Sequence, residues 1–353
     1  MKKVFVLIII FLCVCPTFAV CADEGEISLD TIYEGLPDEI VKYTQNDFDI
    51  ELIIGDVLKN GISFSIKTFA TVITLCLITV YLNSLCPNTK GNSYILGFIS
   101  TYGCAVTVYS LIYSQIATLT TYAQRLSELM GGFLIFSNSV FLFCGYVTTA
   151  ATTTAWLQLI MNLVKSGVNS YLIVLLKLLC GISLADQTIC KGRLSSFAAL
   201  IKSTFLWVSS IIITIVSTVM TVQTSISKIS DTASVQSIKF AATQAFPIVG
   251  GLVSESVRSV AGTANSAKTA GGAIVLVLIA IIALFPLSSL LGIKIGLYLA
   301  QTGCDFLGCK DITEIITKAF SLINFMLAVV GILASVFAIS SISFMLQSIS
   351  LVS

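Results

Sequence analysis

The chain contains no histidine. That removes the usual general base, the commonest metal ligand and the side chain that titrates near neutral pH. Charge is scarce too: 19 Lys and Arg and 18 Asp and Glu amount to 10% of 353 residues, with a net charge of +1. A soluble domain carries about 25% charged residues, so this chain cannot cover a globular surface with polar groups. The balanced charge gives no electrostatic footing for nucleic acid. HExxH, a P-loop and a GxSxG elbow are all missing. With no histidine to activate a serine, the sequence reads as a non-enzyme. The eleven cysteines include no CxxC, so neither metal nor cofactor is expected. Cys76, Cys104, Cys144 and Cys180 sit in apolar runs as small hydrophobes. Cys304 and Cys309 are the pair to follow, since a loop there would let them bridge.

What is present is apolar: 56% hydrophobic residues and a mean hydropathy of +0.99. The fold class this implies is all-α, a polytopic helical integral membrane protein with a cleaved signal peptide and six or seven transmembrane helices. Residues 1–22 read as the signal peptide, with Lys2 and Lys3 before an apolar core and cleavage after Ala22. Residues 23–60 form an acidic extracytosolic segment. There Pro37 suits a first helical position, and Asp47 suits the cap of a second helix. Residues 61–224 hold the N-terminal membrane helices, expected near 66–85, 94–116, 131–150, 156–180 and 204–223. Lys165-Ser166-Gly167 interrupts the fourth of these. Residues 225–271 are a Ser/Thr/Ala/Gly-rich amphipathic segment, and 272–353 carry the last two spans, near 272–299 and 319–346. Seven spans after a cleaved signal put the C-terminus in the cytosol. Losing the fourth reverses the sides of 181–203 and 225–271, and Lys191, Arg193 and Lys202 prefer the cytosol. The sequence leaves both topologies open.

The chain is organised around residues 224–301, where the amphipathic segment feeds directly into a long span. Its apolar residues recur at helical spacing, among them Phe246, Val249, Leu252, Val253 and Val257. Gly250-Gly251 and Gly271-Gly272 bracket it as hinges or close contacts. Pro286 sits mid-span, so a kink or a split into half-helices is expected. Lys67, Lys165, Lys177 and Lys294 fall in or near spans, where a charge costs about 3 kcal/mol at the bilayer centre. Lys67 is read as close to a helix end, able to snorkel. Lys294 stands out as an intramembrane candidate, and no carboxylate in the apolar runs partners it, which counts against classical secondary transport. The polytopic layout, Pro286 and Lys294 together motivate the alternative reading as a small-solute permease.

Four short motifs carry a family resemblance: Ser237-Ile238-Lys239-Phe240, Phe246-Pro247-Ile248-Val249-Gly250, Phe285-Pro286 and Cys309-Lys310-Asp311-Ile312. In them, and in the order of its parts, the chain resembles the stage III sporulation protein AE family of endospore-forming bacteria. The resemblance implies a membrane subunit of a channel or secretion-like complex built in the mother cell around the engulfed forespore. It implies partners from the same operon, including membrane and ring-forming proteins and a secretion-type ATPase, and a forespore partner across the septal space. The family brings no catalytic residues. Lys239, Phe246, Pro247, Gly250, Gly251, Pro286 and Lys294 are therefore taken as structural or assembly candidates, with the lipid bilayer as the surrounding partner.

Overall fold

The computed structural model describes residues 50–85, 92–143, 147–188, 193–218, 222 and 250–346. Ala22 and the leader, most of the acidic segment, and Lys239, Phe246 and Pro247 lie outside the described residues. Among the described residues the chain is entirely helical. Its helices are α1 (Ile50–Leu85), α2 (Asn92–Phe143), α3 (Val147–Ser166), α4 (Ile173–Thr188), α5 (Ser195–Thr218), α6 (Gly250–Phe306) and α7 (Lys310–Leu346). Among the described residues, four stretches are long and apolar enough to cross a membrane: Ile54–Tyr81, Ser195–Thr218, Lys268–Phe306 and Lys310–Met345.

Two of the expected boundaries move. The spans expected at 94–116 and 131–150 share one 52-residue helix, α2, which continues to Phe143. The intervening stretch contains no Gly or Pro between Ala117 and Met130, and the hydroxyls of Thr120 and Thr121 bond back to the carbonyls of Ile116 and Ala117. Nothing there breaks the helix. The interruption at Lys165-Ser166-Gly167 is not a break either. A π-helical turn, Gly167–Leu172, joins α3 to α4, so the two form one rod.

Pairwise contacts fix the direction of every rod. A Cβ on Gly131 would touch Met161, and Tyr109 lies near Ser183, so the α3–α4 rod runs antiparallel to α2. Tyr122 donates to the Val330 carbonyl at 3.2 Å, and Phe133 stacks edge-on against Phe344 at 5.0 Å, so α2 and α7 run parallel. Lys202 meets Ser321 and Phe205 meets Phe325, so α5 is parallel to α7 as well. The six rods therefore alternate in direction along the chain.

The α1–α6 pair is the closest. Ser288, Gly292 and Gly296 recur every fourth residue of α6 and lie against Gly61, Ser65 and Thr68 of α1. A Cβ on Gly292 would overlap the Gly61 carbonyl oxygen, and one on Gly296 the Ser65 carbonyl oxygen. Small residues let the two backbones touch, which is how helices associate without a hydrophobic drive in lipid. Further along, Gly303 faces Ile73. Residue numbers rise together, so α1 and α6 are parallel. A seven-span order would set them antiparallel, because it counts α2 as two spans.

α6 runs unbroken through Pro286, contrary to the expected split, with Ser288 and Ser289 donating to the Phe285 and Pro286 carbonyls. Gly250 and Gly251 form its first turn. Gly271 and Gly272 are close contacts rather than hinges, facing Phe136 and Met345. At its far end Gly308 takes φ 76°, with Cys309 N–H donating to the Cys304 carbonyl and Gly308 N–H to that of Asp305. This Schellman turn stops α6 and reverses the chain into α7.

Candidate functional site: a lysine belt around the bundle

Aligned by these contacts, five lysines from five helices fall within one band of the bundle. Lys67 on α1 lies between Ser65 and Thr68, which flank Gly296. Lys294 on α6 donates to Asn324 of α7 at 2.8 Å. Lys202 on α5 donates to Ser321 at 2.9 Å, one turn away on α7. Lys318, one turn further along α7, pairs with Asp186 at the end of α4 at 3.5 Å. Lys177 lies one turn below Cys180, whose thiol neighbours Lys202. The five span about nine residues of helix, roughly 14 Å at the helical rise. Lys67 and Lys177 are exposed; the other three are half-buried.

Uncharged stretches stop at this belt. On α5, α6 and α7 the runs 203–227, 269–293 and 319–353 each end there in Lys202, Lys294 and Lys318. A run of 25 residues is long enough for the bilayer core, about 30 Å thick. On α1 the order is reversed: the uncharged run 68–89 begins at the belt and extends the other way, while Asp56 and Lys59 stand exposed below it. α2 and α3 carry half-buried Arg125, exposed Glu128 and exposed Lys165 near the depth of Val330, midway along α7. The apolar runs are thus staggered. One flat slab does not contain them all.

Asp186 is the anchor that sequence reading missed. Its carboxylate is 3% exposed, accepts the Leu194 N–H at 2.7 Å just before α5, and pairs with Lys318, which Glu314 also holds at 3.2 Å. It therefore caps α5 and ties it to α4 and α7. Asp186 ends an apolar run, which was its only signal. A polar ladder also runs between α6 and α7, on their outward side. Asp305 accepts from Thr313 at 2.7 Å, Gln301 donates to Thr317 at 3.3 Å, and Lys294 donates to Asn324.

The expected cysteine pair is free, and its thiols meet a third, Cys76, with Cys104 nearby. Burial, then contact with Cys76, pushes the Cys309 thiol up to about 11, so it stays protonated at neutral pH. Among the described residues no group of three or more such side chains is arranged to hold a metal ion.

The family model for stage III sporulation protein AE matches residues 38–348. The chain belongs to the stage III sporulation protein AE family. Its function therefore falls within stage III of sporulation. No curated protein and no solved structure matches it. The match takes in all seven described helices and the whole lysine belt. Of the assembly candidates, Lys294 joins that belt, Pro286 is buried within α6, and Gly250 and Gly251 open it.

Proposed function

We propose that this AE-family chain is a multi-pass subunit of a channel or secretion-like complex in the mother-cell membrane around the forespore, needed for late forespore development. Its partners are the other membrane and ring-forming proteins of the operon, a secretion-type ATPase and a forespore protein across the septal space. It works by assembly, not catalysis. The observation that carries this is the family match over residues 38–348. The stagger of the apolar runs supports it, because exposed Glu128 and Lys165 beside the middle of α7 call for cover other than lipid. The permease alternative draws on Lys294, but that side chain is held on the outer face by Asn324.

In this reading all six rods cross the membrane. The belt end faces the cytosol, since Lys90, Lys191, Arg193 and Lys310 flank the connections at that end, as the positive-inside rule prefers. The connection 219–249 and the residues before Ile50 then lie outside the cytosol, consistent with an exported N-terminus.

The test is a late forespore-specific transcription reporter in a strain lacking this gene. Engulfment should finish and the reporter stay silent, with rescue by the intact gene. Normal firing with heat-resistant spores would sink the proposal.

A further inference from the structure

Lys202 and Lys294 have a feature the rest of the belt lacks. Both are half-buried, and both donate to a neutral oxygen, Ser321 and Asn324. Those acceptors are three residues apart on α7 and so are neighbours on its surface. The two ammonium groups thus reach α7 from α5 and from α6 and converge there. The carboxylates in the vicinity are engaged: Asp186 and Glu314 hold Lys318, and Asp305 accepts from Thr313. Two cations bonded to neutral acceptors repel one another, and an anion between them removes that cost.

The depth points to what that anion is. Next to this level α5, α6 and α7 lie within the uncharged sequence runs 203–227, 269–293 and 319–353. Lysines closing an apolar run sit where headgroups begin, and their charge favours an anionic leaflet. An ammonium also has hydrogen-bond donors left after its one protein contact, matching the oxygens of a phosphate.

We propose that Lys202 and Lys294, backed by Ser321 and Asn324, form a binding site for a phosphate group, filled by the headgroup of an anionic phospholipid. The site does not depend on the sporulation complex and would operate in the isolated protein.

The experiment uses the full chain in nanodiscs of phosphatidylcholine, with or without phosphatidylglycerol, and native mass spectrometry after partial delipidation. The wild-type protein should retain phosphatidylglycerol over phosphatidylcholine by about tenfold. The Lys202→Gln/Lys294→Gln protein should lose that preference, and Lys202→Arg/Lys294→Arg should keep it. Lys177→Gln, a belt lysine away from the pair, should also keep it. A second arm adds inorganic phosphate to protein in phosphatidylcholine alone and follows thermal unfolding. Stabilisation lost in the double Gln variant would assign the site to soluble phosphate and overturn the lipid occupant. Equal retention of both lipids by the wild type, with no response to phosphate, would overturn the site itself. Unchanged preference in a folded double Gln variant would do so too, and helical content by circular dichroism checks folding.

Discussion

At the scale of single residues, glycine carries more of the fold than charge does. Gly292 and Gly296 are where α1 and α6 touch backbone to backbone, and neither has room for even one carbon. Gly296→Leu should therefore lower the thermal unfolding midpoint in detergent sharply, in line with overpacking costs of about 1–3 kcal/mol or more. Gly331 on α7 is the contrast, since a Cβ there meets nothing within 4 Å. Gly331→Ala should hold or raise the midpoint by helix propensity alone, worth about 0.5–1 kcal/mol. Equal behaviour of the two variants would show that the seam is not close-packed. The GIKIG spelling at 292–296 was visible in the sequence. Its partner was not, because Gly61 lies at the edge of the acidic segment, before the span expected at 66–85. Similarly, Lys67 read as a helix-end lysine becomes mid-helix once α1 is seen to start at Ile50.

At the scale of elements, the π turn joins α3 to α4. A π turn is in effect one extra residue in an α-helix. Deleting Asn169 should therefore restore a plain helix and leave α4 facing nearly as it does, with Ser183 and Asp186 still beside Tyr109, Lys318 and the start of α5. The unfolding midpoint should hold. A drop on the scale of a broken buried pair, about 3–5 kcal/mol, would show that the turn does more than absorb one residue. Most element positions were legible, because uncharged runs near 20 residues are a strong signal. Their joins were not. Hydropathy falls between 116 and 131, yet α2 continues, because polar helix formers such as Gln124, Arg125 and Glu128 lower hydropathy without breaking a helix. Pro286 misled in the other direction: flanking serines donate to nearby carbonyls, and the helix persists.

At the scale of the whole molecule, rod direction bears on what the charge pattern left open. In the proposed reading, with all six rods crossing, the opposed directions of α5 and α6 would set residues 190 and 245 on opposite sides of the membrane. An alkaline phosphatase fusion after residue 245 should be active and one after residue 190 inactive. The reverse pattern would invert the molecule in the bilayer while keeping its fold. The lysine belt was beyond sequence reading, because depth is a property of pairs of helices: Lys67 and Lys294 share a level only through Ser65, Thr68 and Gly296. The glycine seam also has a meaning in time. Gly61 and Gly292 are joined by more than two hundred residues of chain, and a ribosome adds about 5–20 residues per second. For tens of seconds during synthesis α1 has no partner for its small-residue face. The first of the described helices to be made is completed by nearly the last, so a ribosome stalled before α6 leaves α1 with its seam unfilled.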